Sequence, residues 1–236
     1  MAGNQPEERV GRSLIFQAWR TMAFLHWRVD PAVVAAHLPP GLIPDTVDGS
    51  AWIGLTPFHV SRSGLFDLPA VPMVTSFNET NLRTYVRGPD GRDGIWFFSL
   101  DVDSVANAGG GRIAGFPYFL SAMSVQGHDG SVRYRCRRRC GADAHHDIAI
   151  RPGDPVRPAD EVAAQLAGRW RAYHAVGPRL LEVPVDHEPW PLRGAELVAC
   201  DETLLARAGL AVQGPPDLVH YADGVDARLG PPRLVA

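Results

Sequence analysis

Runs of β-branched and aromatic residues, separated by glycine, proline and aspartate, dominate the pattern of hydrophobic and polar positions along the chain. Such runs are typical of β-strands. They predict strands over 50–60, 81–88 and 94–103, and two more within 118–139 that are joined by a Gly-His-Asp-Gly turn. The sequence therefore predicts a fold built mainly of strands.

Short helical segments interrupt the strands at three places. Each begins at an aspartate, a residue type that caps helix N-termini. The second segment carries apolar residues at helical spacing, namely Val162, Leu166, Trp170 and Tyr173. The predicted helices are 31–38 after Asp30, 160–175 from Asp160 and 201–208 from Asp201. Because helices do not alternate regularly with strands, we predict a mostly β (α+β) fold, with an antiparallel core and the helices outside it.

Composition and charge narrow the function classes. A chain of 236 residues with 45% hydrophobic residues can bury a core of its own, so we predict a single domain, 1–236. The net charge of −3 gives no general attraction to nucleic acid or to an anionic membrane, and no apolar run approaches the ~20 residues of a membrane helix. The first residues contain no signal-peptide core. We expect a cytoplasmic protein whose partner is a small molecule, and leave homo-oligomer formation open.

Cysteine and histidine provide a candidate metal site. Cys136 and Cys140, with His145 and His146 beyond them, are residue types that bind zinc. If 131–139 is a strand, residues four apart lie ~13 Å apart on one face, too far to share an ion whose bonds to sulfur are ~2.3 Å. We therefore expect no metal. The odd number of cysteines, three, also argues against a disulfide framework.

The stretch GGGRIAGFPYF, residues 109–119, looks like a phosphate-binding loop. Its glycines fit neither GxGxxG nor GxxxxGK[ST], and Pro117 would end a helix that began there within about two turns. A nucleotide cofactor is therefore not expected.

Lysine is absent, and all 23 basic residues are arginine. A guanidinium stays protonated and is not a usable nucleophile. Schiff-base chemistry on a side chain is thereby excluded, as is pyridoxal phosphate anchored on lysine. The sequence predicts no cofactor.

Several short strings, in a fixed order, carry a resemblance to a known family. They are E-x-N-x-R-T-Y-V (79–86), F-F-S-L-D (97–101), F-P-Y (116–118), P-W-P-L (189–192) and H-Y-x-x-G-V-D (220–226). From about Arg20 to Leu229 the chain resembles the YqjF-like proteins, the DUF2071 family of the acetoacetate decarboxylase-like superfamily. The resemblance implies a closed, cone-shaped antiparallel β-barrel whose interior holds a small carbonyl or carboxylate compound.

The resemblance also implies site residues. Decarboxylases of the superfamily use a lysine that forms a Schiff base, beside a second lysine, with an arginine and a glutamate nearby. By position the arginine matches Arg20, the glutamate matches Glu79, and the lysine pair falls on Tyr118 and Phe119. The nucleophile is therefore replaced in this chain.

The expected site combines this resemblance with strand alternation. Arg83 lies four residues after Glu79, so in a regular strand both point to the same side of the sheet. Tyr118 could donate a hydrogen bond to an enolate oxygen, and Arg20 could bind a carboxylate. Alternatively, Arg20 and Glu79 form a structural ion pair and Tyr118 only fills the core. The predicted site residues are catalytic Glu79, Tyr118 and Arg20 and substrate-binding Arg83, Asn81 and Phe119.

Two functions are compatible with these residues. The preferred hypothesis is a cofactor-independent enzyme of lyase or isomerase type, and secondary metabolism is one kind of pathway in which it could act. It would act on a small carbonyl or carboxylate compound through acid–base and enolate chemistry: cyclisation, dehydration, isomerisation or decarboxylation without a Schiff base. The alternative is a non-catalytic barrel that binds a small ligand. Glu79 and Tyr118 facing one water-excluded void would favour the enzyme.

Overall fold

The computed structural model describes residues 9–11, 13–65, 76–141, 143–156 and 161–235. Within them it contains thirteen strands and four short helices, so the prediction of a mostly β fold is confirmed. The strands are β1 (Ile15–Val29), β2 (Ile43–Pro44), β3 (Ala51–Leu65), β4 (Phe77–Arg87), β5 (Asp93–Val102), β6 (Tyr118–His128), β7 (Ser131–Arg138), β8 (His145–Pro155), β9 (Arg171–Val176), β10 (Arg179–His187), β11 (Leu192–Glu202), β12 (Leu218–Leu229) and β13 (Arg233–Leu234). The helices are α1 (Pro31–Ala35), α2 (Val105–Ile113), α3 (Glu161–Ala167) and α4 (Leu204–Arg207).

Nine strands close into a barrel, as predicted. Their order is β5, β6, β7, β8, β11, β12, β1, β3 and β4, and β4 pairs back onto β5. The pairs are mostly antiparallel, but β5 runs parallel to β6 and to β9. The β5–β6 pair is parallel because α2 connects these two strands in the sequence and returns the chain to the end of the barrel where β5 began.

A second, smaller ring is closed by β9 and β10. β9 pairs with β5, and β10 pairs with β12, so β12, β1, β3, β4 and β5 form a wall that both rings share. Side chains alternate across this wall. Leu25 and Leu82 pack with Tyr134 and Ile148 in the core of the nine-stranded barrel. Phe24 belongs to a different buried cluster, on the side of the smaller ring.

All three predicted helices are present but shorter than expected, and two of them differ from the prediction only at their ends. The helix expected at 31–38 is α1, and the Asp30 side chain accepts a hydrogen bond from the Ala32 amide at 2.8 Å. The helix expected at 201–208 is α4, which begins after Thr203. Asp201 does not open it, because that residue pairs with Asp147 in the sheet.

The helix predicted over 160–175 is wrong in its second half. Only α3 is helical, and Asp160 lies outside the described residues. Two tertiary contacts replace the second half. Buried Arg169 contacts Asp45 and Asp93 at 2.6 and 2.7 Å, and the chain then enters β9, which extends the sheet beside β5. The apolar spacing of Trp170 and Tyr173 favours a helix, but these tertiary contacts outweigh that local preference.

A buried ion pair joins three strands inside the larger barrel. Asp101 on β5 is fully buried and accepts two hydrogen bonds from the Arg138 guanidinium on β7, at 2.8 and 2.9 Å. Ser121 on β6 donates a third at 2.8 Å. Through Ser121, the ion pair holds the first residues of β6 in place, and Tyr118 is the first residue of this strand.

Candidate functional site

A cavity of about 490 Å³ lies inside the smaller ring. Strands β1, β3, β4 and β5 form one side, β9 and β10 form the other, and α2 covers one end. Sites for small molecules typically have volumes of ~300–1,000 Å³ and mostly apolar walls. The aromatic lining residues are Trp19, Phe58, Phe97, Phe116, Tyr118 and Trp190.

Three polar side chains of β4 enter this cavity in alternation: Glu79, Asn81 and Arg83. Their exposed fractions are only 7%, 6% and 8%. β4 is hydrogen-bonded to β3 on one edge and to β5 on the other, so its backbone holds the three side chains on a rigid surface. The Asn81 carbonyl oxygen, Oδ1, is buried and has no hydrogen-bond partner among the described residues. It is therefore a polar group available to a ligand.

Glu79 is next to Tyr118, which reaches the same cavity from β6. The Tyr118 hydroxyl donates to Glu79 Oε2 across a long 3.4 Å. Burial raises the pKa of Glu79 to about 8; the Tyr118 hydrogen bond opposes this shift and the nearby Asp101 charge adds to it. Glu79 is therefore mostly protonated at neutral pH and is better suited to donate a proton than to accept one.

Tyr118 is positioned by the glycine run that looks like a phosphate loop. Residues 109–111 lie inside α2, a helix that the sequence did not predict, and Ser104 caps its N-terminus. A Cβ atom on Gly111 would collide with the Tyr118 ring, whereas one on Gly109 would meet nothing within 4 Å. The Arg112 guanidinium also donates to the Tyr118 carbonyl at 2.6 Å. Gly111 therefore allows the tyrosine ring to pack against the helix.

Arg83 is a buried cation that has no carboxylate partner in the described part of the chain. Its Nε donates to the Tyr85 hydroxyl at 3.3 Å, and its guanidinium lies 5.6 Å from the Phe24 ring centre. Among the described residues it makes no ion pair. A buried charge is costly unless it is compensated, so this guanidinium is suited to an anionic ligand.

His187 is a cavity residue that the sequence reasoning missed. It ends β10, is 5% exposed, and packs against Trp170 and Trp190 with ring centres 4.5 and 4.9 Å apart. Its Nδ1 lies 2.6 Å from the Glu188 carbonyl oxygen. The only sequence signal was its place two residues before P-W-P-L, a string used for the resemblance rather than for the site.

Arg20 lies outside the cavity, contrary to the expectation. Its guanidinium contacts Asp226 at 2.5 Å and the Val225 carbonyl at 2.9 Å, and its side chain is 38% exposed. The reason is a β-bulge in β1: Thr21 has a φ of 52°, and the register with β3 shifts between Arg20 and Leu25. Arg20 therefore forms a surface pair with Asp226, and neither the expected catalytic position nor the alternative ion pair with Glu79 is formed.

Phe119 also lies elsewhere, because neighbouring residues of a strand face opposite sides. Tyr118 faces the cavity, so Phe119 faces away from it. Its ring packs under the Arg138 guanidinium, 3.7 Å from the ring centre. The structure thus brings together Glu79, Asn81, Arg83 and Tyr118 of the predicted set.

Neither a metal cluster nor a membrane helix is evident in the described parts of the chain. They contain no group of three or more His, Cys, Asp or Glu side chains that could hold a metal ion. Cys136 is buried and Cys140 is exposed. The helices of the described segments all lack the length and hydrophobicity of a membrane-spanning helix.

Comparison with known proteins identifies related sequences. A model of the DUF2071 family, described as uncharacterized conserved proteins, matches residues 16–226. The protein YqjF of Bacillus subtilis (strain 168) is 33% identical over 220 residues, which cover 92% of this chain and 90% of YqjF.

Solved structures share the fold at low sequence identity. An acetoacetate decarboxylase-like enzyme from Sphingomonas wittichii RW1 has a TM-score of 0.68 at 18% identity, covering 98% of this chain and 96% of its own. The enduracididine biosynthesis enzyme MppR, in complex with pyruvate, has a TM-score of 0.67 at 17% identity, covering 98% and 93%. Acetoacetate decarboxylase from Legionella pneumophila has a TM-score of 0.65 at 16% identity, covering 97% and 90%.

Proposed function

The chain belongs to the DUF2071 family, and from its cavity we propose that it is a cofactor-independent enzyme, of lyase or isomerase type, that performs acid–base chemistry on a small keto acid through its enol form. One observation carries the proposal. A carboxyl group that is protonated at neutral pH lines the same cavity as a buried guanidinium, which has no carboxylate partner among the residues that the structure describes. The solved structures of similar fold include enzymes, and one of them holds pyruvate, a keto acid.

Each polar side chain has a role in this proposal. Arg83 binds the carboxylate, with which a guanidinium forms charge-assisted hydrogen bonds. Glu79 and Tyr118 donate to the carbonyl oxygen and stabilise the negative charge that develops there as the enol forms. The aromatic wall excludes water, which strengthens both interactions.

The spacing along β4 sets the length of the substrate. The Cα atoms of residues four apart on a strand are ~13 Å apart, and Glu79 and Arg83 are four apart on β4. Side chains that project in parallel from the strand keep about this separation between the carboxyl and guanidinium groups. A hydrogen bond of ~3 Å at each end leaves ~7 Å for the ligand. Four carbon–carbon bonds of ~1.5 Å, with a C–O bond of ~1.2 Å at each end, span about this length in an extended chain. We therefore propose a keto acid whose carbonyl is several bonds from its carboxylate, such as 5-oxohexanoate.

Proton exchange tests the proposal without knowledge of the natural substrate. Enol formation replaces hydrogen by deuterium at the carbons next to the carbonyl when the reaction is run in D₂O, and NMR follows the loss of these signals. The compounds are 5-oxohexanoate, the shorter 4-oxopentanoate and pyruvate, and hexan-2-one, which lacks the carboxylate. We expect exchange above the protein-free rate to be fastest for 5-oxohexanoate and absent for hexan-2-one.

Variants separate binding from chemistry. Arg83→Gln should weaken 5-oxohexanoate binding by ~10–100-fold, which corresponds to the ~1.5–3 kcal/mol of a charged hydrogen bond. Tyr118→Phe and Glu79→Gln should preserve binding and slow exchange by ~10² or more. Binding without any exchange would contradict the enzyme and support the ligand-binding alternative. Failure of every compound to bind would refute both.

A further inference from the structure

The proposed reaction needs a base that Glu79 does not supply. Enol formation removes a proton from carbon while the carbonyl oxygen accepts one, so an acid and a base must act together. Because burial raises the pKa of Glu79 to about 8, this group is the acid at neutral pH. Tyr118 is not a base either, since burial raises its pKa well above the usual value and its hydroxyl stays protonated.

The opposite wall of the cavity holds a side chain with the complementary property. β10 faces β4 across the smaller ring, and His187 of β10 lines the same cavity as Glu79. Its Nδ1 must carry the ring proton, because the Glu188 carbonyl at 2.6 Å can only accept a hydrogen bond. The other nitrogen, Nε2, then has a free lone pair and makes no hydrogen bond to the described residues.

The ring is also fixed in orientation. Trp170 and Trp190 pack against it, and Trp19 lies 5.9 Å away between ring centres. Rotation of the imidazole would break the Glu188 hydrogen bond and disturb this packing. A base held in one tautomer and one orientation needs little reorganisation when a proton is transferred.

We propose that His187 is the catalytic base of the reaction under Proposed function, on which this inference rests, and that it takes the proton from the carbon next to the carbonyl of the bound keto acid. The Nε2 lone pair forms a bond to that proton. The electrons of the broken C–H bond become the C=C bond of the enol, and the carbonyl π electrons move to oxygen, which takes the Glu79 proton. In the reverse direction a solvent-derived deuteron on Nε2 is delivered to carbon, and Glu79 regains its proton.

The charges around His187 fit a neutral base. Burial is the main cause that lowers its pKa, and Arg83 on the facing strand lowers it further. Glu188 and Asp186, beside it on the chain, raise it, and Arg9 lies 3.9 Å from each of these two carboxylates. The imidazole therefore remains neutral at neutral pH, when Glu79 is still protonated. Two pKa values displaced in opposite directions are typical of an acid–base pair.

The experiment replaces the base and preserves its anchoring hydrogen bond. His187→Asn keeps an N–H that can donate to the Glu188 carbonyl but has no basic nitrogen. It should slow deuterium exchange into 5-oxohexanoate by ~10²-fold or more while the dissociation constant changes little. His174→Asn is the matched control, because His174 is another buried histidine, stacked on Phe116 at 4.3 Å and outside the lining of this cavity. The control should exchange at the wild-type rate.

Two further readouts separate catalysis from a structural role. Imidazole added to His187→Ala should restore part of the exchange rate, and the acid limb of the pH–rate profile should disappear in His187→Asn but not in Glu79→Gln. If His187→Asn exchanges deuterium as fast as the wild type, this inference is wrong and the proposed function still stands. Absence of exchange in the wild type would instead refute the proposed function. Nitrogen-15 spectra that place the His187 proton on Nε2 would overturn the inference in either case.

Discussion

The burial of Glu79 leads to a quantitative prediction about stability. Its pKa is about 8 in the folded protein, against 4.5 for an ordinary glutamate. Between these values the folded state binds more protons than the unfolded state, so the free energy of unfolding falls as the pH rises. The stabilisation linked to this proton is fully present below pH 4.5 and is lost as the pH rises through 8. Glu79→Gln removes this dependence, because an amide does not titrate.

The size of the effect follows from the shift. Each pKa unit corresponds to ~1.4 kcal/mol, so the full shift of about 3.5 units amounts to ~5 kcal/mol, of which ~4 kcal/mol falls between pH 5 and pH 9. Urea unfolding at both pH values should show that the wild type loses ~4 kcal/mol more stability than Glu79→Gln over this interval. The change would be large against the ~5–15 kcal/mol stability of typical domains.

A matched variant controls for the loss of one negative charge. The Glu188 side chain is 77% exposed, so Glu188→Gln removes the same charge from a solvated position. Its stability should follow that of the wild type at both pH values. If the wild type and Glu79→Gln lose equal stability between pH 5 and pH 9, Glu79 is ionised at neutral pH, and its role as a proton donor is wrong.

Three further predictions test the geometry of the site and its surroundings. Gly111→Ala should displace the Tyr118 ring and slow 5-oxohexanoate exchange by ~10-fold or more, whereas Gly109→Ala should keep the rate and raise stability in urea by up to ~1 kcal/mol through helix propensity; equal rates would contradict the ring position. Arg20→Ala should leave exchange unchanged and stability within ~1 kcal/mol, as for a surface ion pair, and a loss of ligand binding would return Arg20 to the site. Arg138→Met should lower the free energy of unfolding by ~3–5 kcal/mol, because it leaves its buried carboxylate partner uncompensated; an unchanged urea midpoint would show that the partner is solvated.

The sequence predicted the strand-borne part of the cavity well. Glu79, Asn81 and Arg83 are two residues apart, and strand alternation requires only that β4 stay regular for one face to collect them. The match of Tyr118 to a catalytic position of the superfamily came from the resemblance, and its side chain does lie beside Glu79. The roles of these residues remain a proposal.

Local irregularity explains what the sequence could not predict. A single residue in the left-handed region, Thr21, shifts the register of β1 and leaves Arg20 on the surface, and no residue type near it signals the bulge. Helix α2 was missed because three successive glycines disfavour a helix. It is held by its Ser104 cap and by contact with the Tyr118 ring. His187 was missed because its tautomer depends on a carbonyl contact that only the fold defines.

A crystal structure with 5-oxohexanoate bound would show whether the cavity is built for a keto acid. We predict that the ligand carboxylate lies ~2.8 Å from the Arg83 guanidinium and that its carbonyl oxygen lies within ~3 Å of Glu79 or Tyr118. The carbon next to the carbonyl should face Nε2 of His187. A ligand bound with its carboxylate in solvent, or a cavity in which Arg83 makes no contact with it, would contradict this prediction.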